Sequence, residues 1–298
     1  MCLILRELFH LPGWGEQLTF KGGTSLSKGW HLISRFSEDI DVVIDRGFLG
    51  FNEEEPSRKH QKKQTEECSR RIQEELKPAF ESRLRELLPD DQDWRLTSAD
   101  KTEDQDQQTL LFHYPSVFDS QINYLRRVVK IELGARSETE PVEVRSIQSY
   151  LADAFPDVLG KNPFSLRIVA ARRTFWEKAM LLHEETFRPE DKPLKSRLSR
   201  HYYDLWCMIQ KGIASEALAD PDLFDRVARH RKIFFRQNWV DYETLRKGSL
   251  RLQPSSPKRM AEWRKDYEAM REEMFFDEPP RFDKLLTAIR DFEEEFNR

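Results

Sequence analysis

The chain reads as an α+β protein: a domain of strands and helices over residues 1–160, then an α-helical domain over 161–298. Two observations carry this. The strand-like stretches Gln17–Phe20, Asp39–Asp45, Leu110–Tyr114 and Val128–Leu133 all fall in the first half, whereas from Ser165 onward helical periodicity dominates. With 298 residues, 38% hydrophobic and 34% charged, the chain can bury two cores beneath a highly charged surface.

The first thirty residues predict the end of a helix at Ile4–Phe9, a turn at Pro12–Gly15, the strand Gln17–Phe20, a glycine turn, and a helix near Leu26–Ile33. Asp39-Ile-Asp-Val-Val-Ile-Asp45 alternates acid and apolar before a β-branched run, the pattern of a strand with one buried face. Residues 53–88 carry sparse apolar positions at Ile72, Leu76, Phe80 and Leu84 in a field of charge, which predicts an amphipathic helix. Ser98–Gln108 is a polar loop before the third strand, and the first half closes near residue 160 as an α/β or α+β unit. Helical spans are expected at 165–187, 195–211, 214–230, 257–275 and 281–296.

Several classes are set aside by composition. No apolar run is long enough to span a membrane, and the start, Met1-Cys-Leu-Ile-Leu-Arg6, lacks the basic and small-residue signals of a secretory leader, so a cytoplasmic location without membrane attachment is expected. Cys2, Cys68 and Cys207 are isolated, suggesting free thiols rather than a disulfide framework or a zinc site. The net charge of −4 argues against a surface that grips nucleic acid all over.

Two local patterns carry chemistry. In Lys21-Gly-Gly-Thr-Ser25, Gly22 and Gly23 let the backbone approach a ligand, and Thr24 and Ser25 open a helix whose N–H groups suit phosphate; a plain capped turn has the same composition. The spacing is not that of a Walker loop. Asp39 and Asp41, two apart on a strand, project from one face and repel unless a hard divalent cation lies between them; solvated strand-end aspartates are the plainer reading. Together, turn, helix and Asp-x-Asp strand would bring a nucleoside triphosphate and metal to one place. Glu132, between Ile131 and Leu133, is the candidate third acid, or else an edge-strand glutamate facing water.

Phe20-Lys-Gly-Gly-Thr-Ser-Leu-Ser-Lys28 with Arg35-Phe-Ser-Glu-Asp-Ile-Asp-Val42 resembles the signature of the AbiEii/AbiGii toxin family, nucleotidyltransferases of the polymerase-β-like superfamily from abortive-infection and toxin–antitoxin systems. Lys130-Ile-Glu-Leu-Gly-Ala-Arg136 resembles the family's later acid-bearing strand, and the helical half its C-terminal domain. The resemblance implies a mixed-sheet nucleotidyltransferase domain, two Mg2+ ions held by Asp39, Asp41 and Glu132, and a helical domain that completes the active site. It also implies transfer of a nucleotide from an NTP substrate, with tRNA or another RNA as acceptor and a cognate antitoxin as partner. A protein or small-molecule acceptor, and a non-catalytic nucleotide- or RNA-binding module of the same fold, are the alternatives.

Two further positions gain meaning. Helical spacing puts Lys178 on the stripe of Ala171, Phe175 and Leu182, and Asp204 on that of His201, Leu205 and Met208, so both charges turn inward. They resemble the family's motif lysine, which contacts the triphosphate, and its final motif aspartate, which orients that lysine or assists the acceptor. A structural ion pair, Lys178–Asp204 or Arg200–Asp204, is the bland reading. Arg172, Arg173 and Arg200 either add charge to the phosphate site or are ordinary surface residues. The stretch Arg226–Arg236, interleaving cations with aromatics and followed by Arg246, Lys247 and Arg251, is either an RNA-backbone patch or a solvated helix face with Phe234 and Phe235 in the core.

Overall fold

The computed structural model describes every residue except 38, 90–92, 116–127, 161 and 272–273, and it resolves into two compact units. The first takes Met1–Gly29 and Glu38–Val169; the second takes Trp30–Ser37 and Ala170–Arg298.

The first unit holds a mixed sheet of β1 (Leu18–Lys21), β2 (Ile40–Ile44), β3 (Arg95–Ser98), β4 (Thr109–His113), β5 (Val128–Gly134), β6 (Val142–Ile147) and β7 (Phe164–Val169), in the order β3-β4-β5-β2-β1-β7-β6. β2 runs parallel to β5 and β1 to β7; the remaining pairs are antiparallel. Its helices are α1 (Cys2–Phe9), α2 (Gly22–Lys28), α3 (Arg58–Arg71), α4 (Lys77–Leu87) and the short α5 (Tyr150–Ala154) and α6 (Pro156–Leu159). A π-helical turn, Ile72–Leu76, joins α3 to α4, so the single helix expected over 53–88 starts later and is interrupted. Ile72, Leu76, Phe80 and Leu84 are all fully buried, as their spacing requires.

Three strands went unread. β7 corrects the expectation that strands end before Ser165: in Phe-Ser-Leu-Arg-Ile-Val, Phe164, Leu166 and Ile168 are buried while Ser165 and Arg167 face water. This period of two is short and abuts a helix, and the helical reading absorbed it. β3 and β6 are edge strands with weak apolar content, which leaves little pattern to read. The glycine turn also differs, since Gly22 and Gly23 are already the first residues of α2, and that helix stops at Lys28 instead of reaching Ile33.

Helices of the second unit are α7 (Ala171–Thr186), α8 (Arg200–Gln210), α9 (Ile213–Leu218), α10 (Pro221–Phe234), α11 (Pro257–Arg271) and α12 (Phe282–Asn297). Pro221, after the Asp220 cap, divides the expected 214–230 helix into α9 and α10. The core is aromatic: the Trp176 ring lies 4.9 Å from Phe224 and 5.1 Å from Phe296, and Phe175 lies 4.9 Å from Phe292. The N-terminal excursion joins this unit by two main-chain hydrogen bonds and one from a lysine side chain. Phe36 donates its N–H to the Met274 carbonyl at 2.6 Å, Phe276 donates to the Ser34 carbonyl, and Lys211 reaches the His31 carbonyl. No helix among the described residues is long and apolar enough to cross a membrane.

Candidate active site

In the first unit the acids are arranged by strand register. β1 pairs with β2 so that Lys21 lies opposite Asp41, and β2 pairs with β5 so that Asp41 lies opposite Glu132. Lateral neighbours in a sheet share a face, so a cation and two carboxylates form one row across three central strands. Asp41 and Glu132 hydrogen-bond one another. Desolvation first, then the charge and hydrogen bond of Glu132, push the Asp41 carboxyl up to about 7, with Lys21 opposing and Asp39 adding to the rise. Lys21 also donates to Ser137 Oγ at 2.7 Å, and the Lys130 ammonium pairs with Glu132 from two residues away on β5.

Asp39 stands just before β2 rather than within it. Among the described residues no set of three His, Cys, Asp or Glu side chains converges closely enough to hold a metal ion. Asp41 and Glu132 are brought together, and Asp39 acts on Asp41 through its charge. The donor chemistry nevertheless fits a hard divalent cation: two adjoining carboxylates, one of them raised to about 7, are relieved by a positive charge, and a cation would supply it.

Gly22 belongs to this site for a reason the sequence left open. A Cβ there would lie 1.9 Å from Asp41 Oδ2, and the residue has φ +77°. The glycine makes room for the acid. Thr24 and Ser25 are fully buried; the Ser25 hydroxyl donates to the Gly22 carbonyl at 2.8 Å. That bond fastens the first turn of α2 beneath Asp41.

The second unit holds Lys178 and Asp204. Asp204 is completely buried on α8 and Lys178 nearly so on α7, with Nζ 2.8 Å from Asp204 Oδ2. Arg35, given no role in the sequence reading, completes the cluster: its Nε and Nη2 reach Asp204 Oδ1 and Oδ2 at 2.7 and 2.8 Å. Although burial alone would raise it, the Asp204 carboxyl is held well below the ordinary carboxylate range by Arg35 and Lys178. Burial holds Lys178 below the ordinary lysine range, Asp204 opposing. His201, whose Nδ1 is 3.4 Å from Lys178, is pushed far down by burial and by that ammonium, so its ring is neutral.

The other arginines divide. Arg173, offered as a surface residue or a phosphate ligand, is fully buried beside Glu177 at 3.1 Å. Arg172 lies 3.9 Å from Asp220, and Arg200 is half-buried. In the basic stretch, Arg231 pairs with the buried Glu184, Lys232 with Glu243 at 2.7 Å, and Phe234 lies in the core against His230; Arg226, Arg229 and Arg236 are exposed.

Compared with known proteins, residues 3–288 match a family model described as nucleotidyl transferase AbiEii toxin, type IV TA system. No curated protein matches the chain.

Proposed function

Because the chain belongs to the AbiEii family of nucleotidyl transferase toxins, we propose that it transfers a nucleoside monophosphate from an NTP to an acceptor hydroxyl in the presence of Mg2+, with the 3′ end of tRNA or another RNA as acceptor. Membership in a toxin–antitoxin family also makes a cognate antitoxin its partner. The observation that supports the chemistry is the in-register pair Asp41–Glu132, in which burial first and Glu132 second push the Asp41 carboxyl up to about 7. Such a pair is unfavourable for stability and has its use where a cation or proton is exchanged.

The acceptor oxygen bonds to the α-phosphorus as the bond from that phosphorus to the bridging oxygen breaks; pyrophosphate leaves, and the hydroxyl proton is given up to the carboxylate row. Two Mg2+ ions, held by Asp39, Asp41 and Glu132, would supply the positive charge that acidifies the hydroxyl and offsets the pyrophosphate. The backbone from Gly22 and Gly23 to Thr24 and Ser25 is assigned to the triphosphate. Lys178, steadied by Asp204, is assigned to the same phosphate chain. With RNA as acceptor, Arg226, Arg229 and Arg236 are the exposed cations of the basic stretch that remain for its backbone.

The test is incubation of purified protein with Mg2+, each α-labelled NTP and total tRNA beside an Asp39→Ala/Asp41→Ala variant. Label is expected in RNA, lowered by at least about a thousandfold in the variant. Label in protein would redirect the acceptor. Transfer undiminished in the folded variant would end this mechanism, and no label anywhere would favour a binding module.

A further inference from the structure

Asp204 faces two cations, not one. The Arg35 fork covers both of its oxygens, and Lys178 approaches Oδ2 as well; Arg35 is 2% exposed and Asp204 0%. Arg200 contributes a third positive charge felt by Lys178 and His201, and neutral His201 supplies none in return. Among the three buried groups in contact, Arg35 and Lys178 stand against the single carboxylate of Asp204, one positive charge in excess. Burying unbalanced charge is costly, and an arrangement of this kind is relieved by an anion.

The bidentate geometry decides which cation is in excess. An Arg–carboxylate fork is the stronger and more directional pairing, with two parallel charge-assisted hydrogen bonds against the single contact of an ammonium. Asp204 is thus matched principally to Arg35. We propose that Arg35 is a positioning residue: by engaging both oxygens of Asp204 it makes Lys178 share that carboxylate, and leaves part of the Lys178 ammonium charge for a phosphate chain. This rests on the assignment of Lys178 to the triphosphate made above, and it adds what makes the lysine able to serve.

The inference separates from a merely structural ion pair through a double substitution. If Arg35 only staples the unit together, removing its partner as well gives nothing back in phosphate affinity. If Arg35 keeps Asp204 occupied, then Arg35→Met lets Asp204 and Lys178 cancel, and removing the Asp204 charge too frees the lysine again.

The experiment is calorimetric titration of the full-length protein with inorganic tripolyphosphate in excess Mg2+. Arg35→Met is expected to weaken binding by about tenfold, Arg35→Met/Asp204→Asn to recover to within about threefold of the parent, and Lys178→Met to be weak in every background. Should Arg35→Met not fold, Arg35→Gln, which keeps an amide donor but loses the charge and the two-pronged fork, takes its place with the same outcomes. Parent-like affinity in the single variant, no recovery in the double variant, or no tripolyphosphate binding by the parent would each overturn the proposal. If this pattern holds while no nucleotide is transferred, the proposed function falls and the role of Arg35 stands; transfer with a parent-like Arg35→Met does the reverse.

Discussion

At the scale of single residues, Asp41 stores unfavourable free energy. Its carboxyl titrates near 7 in the folded chain because desolvation and Glu132 disfavour its charge. The folded state accordingly binds more protons than the unfolded state from the ordinary carboxylate range up to about 7. This contribution is fully present in acid and is lost as the pH rises through 7. In EDTA, urea unfolding should therefore show the parent losing on the order of 2 kcal/mol between pH 5 and pH 8, with the loss much reduced in Asp41→Asn. Identical pH dependence in the two proteins would refute it. Asp41 was legible in the sequence as a strand acid, whereas Asp39 falls just short of β2, so the shared face expected from a separation of two within one strand does not apply to it. Arg35 was not legible as a partner: it lies 169 residues from Asp204, and nothing in Arg-Phe-Ser marks which arginine is buried.

At the scale of elements, local periodicity told the truth where it was long. The buried stripes of α4, α7 and α8 follow from spacing alone, and they turned Lys178 and Asp204 inward as expected. Short or edge elements escaped, because β3 has four residues and β7 alternates for only six before a helix begins. In α10 the basic run concealed a division of labour, since cations on one helix alternate between core and solvent with the 3.6-residue turn. Arg231 grips Glu184 in the interior, with side chains 13% and 6% exposed. Arg231→Ala should cost about 3–5 kcal/mol by stranding Glu184, while Arg229→Ala, on the exposed side, should stay within about 0.5 kcal/mol. Chemical denaturation of both variants checks this, and equal costs would show that the Glu184 pairing carries no special weight.

At the scale of the whole molecule, each unit draws on two pieces of chain. A cut at residue 160, where the sequence suggested a boundary, removes β7, the strand that joins β1 to β6. The fragment 1–160 should lack a cooperative thermal transition by circular dichroism, while 1–169, which contains all of the first unit, should show one. Cooperative melting of 1–160 at the same temperature as 1–169 would refute this. A helical fragment beginning at residue 161 lacks Arg35, so Asp204 is left with Lys178 alone.

The excursion Trp30–Ser37 also imposes an order on synthesis. The ribosome makes Arg35 early, but Phe275, across from it in an antiparallel bridge, arrives 240 residues later (275 − 35). Asp204 itself appears only when two thirds of the chain has been translated. Throughout that interval the segment immediately preceding the acid-bearing strand has no permanent seat. A nascent chain released early, before Met274 and Phe275, keeps every acid of the sheet and all three members of the buried charge cluster, yet lacks the edge against which Arg35 settles.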